Sequence, residues 1–163
     1  MKDYDFMNYI RRNIYEAKVN AVIPWAALQT LTWVGGDPNP GTAFFISEDG
    51  KYEVKPQYYY YKQLCRIGQH GMKVANVETE DGSNVELIAF ASNGTNNPDA
   101  FLIMNLGEVD KEVTIEISGP ALVYQVTRSA ENEKYNPVGQ FNVENGKIVY
   151  KAPAGSVSTF VSK

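Results

Sequence analysis

The chain has 163 residues, 44% hydrophobic and 21% charged, which supplies a sizeable core and argues against global disorder. A formal net charge of −4 leaves no excess of Lys and Arg to neutralise phosphates, so nucleic acid is excluded as the expected partner. No basic run or basic amphipathic helix marks a membrane surface, and no apolar stretch approaches the ~20 residues that span a bilayer. Cys65 is the sole cysteine, so no intrachain disulfide forms and cysteine usage does not reveal the compartment. Met1 is followed by Lys-Asp-Tyr-Asp, which is not an apolar signal core.

In chain order, Asp3 or Asp5 caps a first helix, along which Phe6, Ile10, Ile14 and Ala17 form one apolar stripe. The helix is expected to end near Lys18–Asn20. Ala21-Val22-Ile23 then reads as a short, fully buried strand that stops at Pro24, with Trp25 at its C-terminal end. Residues 34–42 are a Gly/Pro loop. Phe44–Ile46 and Tyr52–Val54 form a hairpin around Glu48-Asp49-Gly50-Lys51, where the Asp-Gly pair supplies the positive φ. Pro56 opens a second helix over 56–67, with Tyr60, Leu64 and Ile67 on one stripe, Tyr61 and Cys65 beside it, and Gly68 as the stop.

From Met72 the strands come at sandwich spacing: 72–79, 84–91, 100–106, 111–117, 121–128, 140–144, 147–151 and 156–162. Alternation in Val113, Ile115, Ile117 and in Leu122, Tyr124, Val126 places those side chains in one core between two sheets. Residues 129–139 read as the longest polar connection of this region.

Few residues here can carry chemistry. His70 is the sole histidine, and with one cysteine it cannot build a zinc site; it reads as a solvated loop residue. Nucleophilic catalysis would need His70, and no G-x-S-x-G elbow exists; Cys65, on a stripe that reads as buried, is not its partner. Gly35-Gly36 lacks any phosphate-binding pattern. No carboxylate ends the Ala21–Ile23 strand, and Asp37 reads as a turn initiator. Asn93-Gly94-Thr95 fits a glycosylation sequon, which matters only in a eukaryotic secretory setting. The aromatics stand out: eleven Tyr, four of them consecutive at Tyr58–Tyr61, seven Phe and two Trp. Most read as packing groups. Trp25 and Trp33 are the best candidates for ligand contact, against the alternative of interdomain core.

Several short motifs then line up. Ala21-Val22-Ile23-Pro24-Trp25, the Asp49-Gly50-Lys51 hairpin, Lys55-Pro56-Gln57-Tyr58-Tyr59-Tyr60-Tyr61, Arg66-Ile67-Gly68 and the closing Pro153–Phe160 follow one another. In this order the chain resembles the C-terminal part of clan A glycoside hydrolases, most nearly family 30. The resemblance implies that residues 1–40 are the last helix–strand unit of a (β/α)-barrel, and that residues 41–163 are a side β-sandwich with a linking helix at 56–67. The fold expected is therefore mainly β, an antiparallel β-sandwich with an N-terminal barrel remnant. Trp25 matches the last-strand Trp that lines the sugar pocket. The family's two catalytic glutamates would both precede residue 1, so no catalytic residue, metal or cofactor is expected.

The expected function is that of a non-catalytic carbohydrate-binding module for plant cell-wall β-glycan, xylan or β-glucan. Trp25, Trp33, Tyr58 and Tyr59 would be its ligand-binding residues, supplemented by polar groups such as Asn39, Asn93, Asn96 and Asn97. The alternatives are the C-terminal fragment of an active hydrolase, or a ligand-free structural module. A barrel remnant exposes apolar surface, so the first helix is expected to fold back on the β-domain or to mediate a homo-oligomer with the exposed strand. The resemblance also implies an extracellular setting.

Overall fold

The computed structural model describes residues 5–30 and 41–163, which divide into two compact units, 1–61 and 62–163. The fold is mainly β, with antiparallel sheets packed in a sandwich and no closed barrel among the described residues.

In the first unit, α1 (Asp5–Tyr15) buries Phe6 and Ile10 of the expected stripe and Met7 beside them, while Ile14 is half-buried and Ala17 lies exposed past the helix end. It ends earlier than its periodicity suggests. The last turn loosens, with the Ala17 N–H reaching the Arg12 carbonyl at 3.2 Å, and Lys18 turns left-handed at φ 57°. Residues 21–27 are irregular, so the expected strand at Ala21–Ile23 is not there and Ile23 is 91% exposed. The strand lies further on, at β1 (Leu28–Thr30), which pairs parallel with β2 (Phe44–Ile46). A β-branched run reads as a strand, but the ladder forms where a partner is available, and Pro24 has no N–H to give it.

β2 returns antiparallel through β3 (Tyr52–Val54). The hairpin is closed by Ser47 N–H to the Lys51 carbonyl (2.9 Å), with Gly50 at φ 79°. The Lys51 ammonium, 2.5 Å from Asp49, and then the Ser47 hydroxyl hold the Asp49 carboxyl below its ordinary value.

The boundary between the units falls inside α2 (Pro56–Ile67), whose bounds are those its stripe predicts. Tyr60, Leu64 and Ile67 are buried as expected. Cys65 is exposed, contrary to expectation, because the buried position beside Leu64 is taken by Gln63, which is fully enclosed.

In the second unit, β4 (Lys73–Val74), β5 (Val85–Ala91), β6 (Ala100–Asn105), β8 (Val123–Ala130), β9 (Glu133–Asn142) and β11 (Ser156–Ser162) form a sheet in the order β4-β5-β6-β11-β8-β9. β7 (Lys111–Glu116) and β10 (Lys147–Ala152) form a second, two-stranded sheet. Between them lies a core of Val85, Phe101, Ile103, Ile115, Tyr124, Val126, Ile148, Tyr150, Ala152 and Phe160, with Val113 and Ile117 packed against it. Phe160 is its centre: its ring stacks on Phe101 at 4.6 Å and meets the edge of Tyr150 at 5.1 Å.

The opposite face of the large sheet is buried too, because side chains alternate along each strand: Leu102 and Met104 are fully enclosed. There Gln63 of α2 donates to Ser129 Oγ (2.9 Å) and accepts from Thr127 Oγ1 (3.0 Å), while its carbonyl accepts from Thr159 Oγ1 (3.4 Å). A Cβ at Gly68, just past the helix, would lie 3.0 Å from the Phe90 ring, so the absence of a side chain there permits the close approach.

Two further expectations are corrected. Leu122 is 71% exposed because it precedes β8, so the alternation of Tyr124 and Val126 does not extend back to it. Residues 129–139 are not a loop but the turn of β8 into β9, with register shifts at Val126/Thr127 and Arg128/Ala130. Their polarity fits an edge strand, where bulges and charges discourage further pairing. Across this hairpin Arg128 makes a two-pronged ion pair with Glu133 and donates to the Tyr150 hydroxyl (3.3 Å). Arg128 thereby holds the Glu133 carboxyl below its ordinary value.

Candidate functional site

Trp25 is 75% exposed, more open than the half-buried Tyr58 and Tyr59. The segment around it meets the rest of the first unit through two hydrogen bonds and one close backbone approach. The Tyr61 hydroxyl donates to the Val22 carbonyl (3.4 Å). The Phe44 N–H donates to the Ala27 carbonyl (2.8 Å), extending the β1–β2 ladder. A Cβ at Gly41 would lie 3.1 Å from Pro24 Cβ and 3.3 Å from the Trp25 carbonyl oxygen, so Gly41 lets the two segments close on each other. The Trp25–Ala26 peptide is cis. Among the described residues no ring packs on the Trp25 indole. The result is a flat aromatic face on an anchored backbone.

Tyr58 and Tyr59 are brought together, but mainly with each other. Their rings meet edge to face at 5.1 Å, and Tyr58 leans on Phe44 at 5.2 Å. Both are half-buried, so each offers at most an edge to a ligand. Trp33 and Asn39 lie outside the described residues. Tyr52, not singled out from the sequence, is 72% exposed with its ring edge-on to Phe44 at 6.4 Å. No sequence signal marks it: Tyr52 shares its strand face with the half-buried Val54, so period-two alternation does not set it apart.

The second unit carries a separate feature, an open groove of about 390 Å³ at the end of the sandwich. Thr95, Asn96, Asn97 and Asp99 line one part of it, and Pro120, Ala121 and Ser162 contribute the rest. Asn96 and Asn97 were among the polar groups named from the sequence. Their neighbours across the groove, some 20 to 70 residues later in the chain, are supplied by the sheet order. Asn93 is exposed, and its side chain donates to the Gly71 carbonyl (3.1 Å). His70 is exposed just past α2. Among the described residues no cluster of three or more His, Cys, Asp and Glu could hold a metal ion. No described helix is long and apolar enough to cross a membrane.

No protein-family profile matches the chain, and no curated protein does. Solved structures do. A glycoside hydrolase family 30 subfamily 8 xylanase from Clostridium acetobutylicum superposes with a TM-score of 0.79 at 16% identity, over 99% of this chain and 38% of the xylanase. A family 30 endoxylanase from Clostridium papyrosolvens gives 0.73, with the same identity and coverage. The catalytic domain of family 30 xylanase C from Talaromyces cellulolyticus gives 0.72 at 16% identity, over 99% of this chain and 35% of its own. At these identities the likeness is one of fold, and the chain spans 38% of the length of the two clostridial enzymes. Over nearly its whole length, then, the chain is similar in fold to the C-terminal part of family 30 glycoside hydrolases.

Proposed function

We propose that the chain is a non-catalytic carbohydrate-binding module that takes plant cell-wall β-glycan, xylan or β-glucan, on the face of Trp25. The carrying observation is the exposed indole on a backbone fixed by Tyr61, Gly41 and Phe44. A pyranose ring presents axial C–H groups to such a surface, and a rigid platform loses little conformational freedom on binding. The ligand class is suggested by the structural neighbours, which are xylanases.

The test is isothermal titration with xylohexaose and with mixed-linkage β-glucan oligosaccharides, with reducing-sugar release followed in the same samples. Binding without release is expected. The Trp25→Ala variant should bind at least about tenfold more weakly, the scale of losing one aromatic anchor. Sugar release by the purified chain would overturn the non-catalytic reading. Undiminished binding by the variant would overturn the platform.

A second reading is that this fold works as the C-terminal part of an active hydrolase, its catalytic carboxylates lying outside this sequence. The coverage of 99% of this chain against 38% of the xylanases favours it. Sugar release that appears only in a protein carrying a preceding barrel would select this reading. A homo-oligomer through the first helix and the following segment would instead cover Ile23, 91% exposed, and Tyr9, 67% exposed. Sedimentation velocity at the concentrations used for titration separates self-association from glycan binding.

A further inference from the structure

The groove of the second unit has no aromatic ring among its lining residues, yet it is built. The Ser92 N–H donates to Asp99 Oδ1 (2.7 Å), and the Thr95 N–H and hydroxyl both donate to the Ser92 carbonyl (2.9 and 2.7 Å). The Asn97 N–H donates to Thr95 Oγ1 (3.2 Å), and the Ser162 N–H of β11 donates to the Asp99 carbonyl (2.9 Å). These bonds use backbone groups, the Thr95 hydroxyl and one Asp99 oxygen. They leave the side-chain amides of Asn96 and Asn97 without a partner among the described residues.

Each amide carries two donors and an acceptor at neutral charge. Asp99 adds an acceptor and Lys163 a cation, so the groove has no dominant sign of charge to select an ion. Pro98, Pro120 and Ala121 supply short apolar patches between the polar groups. A volume of about 390 Å³ lies near the lower end of the range of small-molecule sites, ~300–1,000 Å³. Mixed donors and acceptors on a pinned loop, with small apolar patches and no net field, match the hydroxyls and C–H faces of a neutral sugar.

We propose that this groove is a second saccharide subsite, held by Asn96 and Asn97 and separate from the Trp25 platform. It rests on the carbohydrate reading above but uses hydrogen bonds instead of a stack. The test is a 1H–15N NMR titration of the chain with xylohexaose and with cellohexaose. Signals of residues 92–97, 99, 121 and 162 are expected to shift saturably. The Asn96→Ala/Asn97→Ala double variant should weaken that response by about tenfold while the signals of 22–28 respond as before. If only the signals around Trp25 move, the groove is not a subsite and the module reading stands. If only the groove signals move, the subsite stands and the Trp25 platform falls. If neither set moves, both fail. A groove response unchanged in the double variant would overturn the role of the two asparagines.

Discussion

In residues 62–163 the apolar side chains that alternate along β6, β8, β10 and β11 are inside: Phe101, Ile103, Val126, Ile148 and Phe160 are all buried. In residues 1–61 the described strands are three residues each, and Ile23, Trp25 and Tyr52 stand 91%, 75% and 72% exposed. The sandwich uses its aromatic rings for cohesion, so Phe101, Tyr124, Phe141 and Tyr150 all touch Phe160. The first unit buries one helix face and pairs three short strands, and it leaves an indole outside. Large apolar groups that a fold does not need inside are the ones available to a ligand.

The sharpest way to break this contrast is Phe160→Ala. Removing a fully enclosed ring from the centre of five aromatic residues should cost about 3–5 kcal/mol in urea-induced unfolding. A loss below about 1 kcal/mol would mean that the core repacks and that Phe160 is not its centre.

Gln63→Leu comes next. It removes the partner of Ser129 and Thr127 on a buried face and should cost about 1–3 kcal/mol in the same assay, although Leu is more hydrophobic. A stabilised variant would show that packing on that face outweighs its hydrogen bonds.

Glu133→Gln should cost about 1 kcal/mol at neutral pH, discounted because the pair is part-exposed. Its pH dependence has a definite sign. Arg128 holds the Glu133 carboxyl below its ordinary value, so its contribution is present above the unfolded-state value and is lost as pH falls through the lower folded-state pKa. Denaturation midpoints of the parent and of Glu133→Gln should therefore converge as pH falls below the ordinary carboxylate range, and a gap that stays constant through acid would contradict the ion pair.

The smallest stability effect is expected at Trp25. A side chain 75% exposed, with no ring partner among the described residues, should change unfolding free energy by no more than ~0.5 kcal/mol when replaced by Ala, while glycan binding falls. A loss comparable to that of Phe160→Ala would erase the distinction between the two regions and recast Trp25 as a packing residue.

Much of the second unit could be read directly. The strands at 85–91, 100–105, 111–116, 147–152 and 156–162 lie close to where they were expected, whereas the β9 strand over Glu133–Asn142 was read largely as a polar connection. The second helix was legible to the residue because Pro56 and Gly68 bracket one stripe. Harder to read were places where the partner decides. Ala21–Ile23 has strand composition, but the ladder formed at Leu28–Thr30, where Phe44–Ile46 is available to pair. Nothing in the sequence singled out Gln63, yet its amide meets two hydroxyls from residues more than 60 positions away. At the candidate site, Trp25 was identifiable as an unusual residue after a proline. Its exposure, and the demotion of Tyr58 and Tyr59 to mutual packing, were not.

The sequence alone determined the mainly-β class, the hairpin turns, the extent of the second helix and the scarcity of catalytic groups, since each depends on residue identity and near neighbours. Only the tertiary structure decided that Trp25 faces outward and that Asn96 and Asn97 share a groove with Pro120 and Ser162. Both are consequences of which strands pair across long sequence separations, and a linear pattern does not encode the partner.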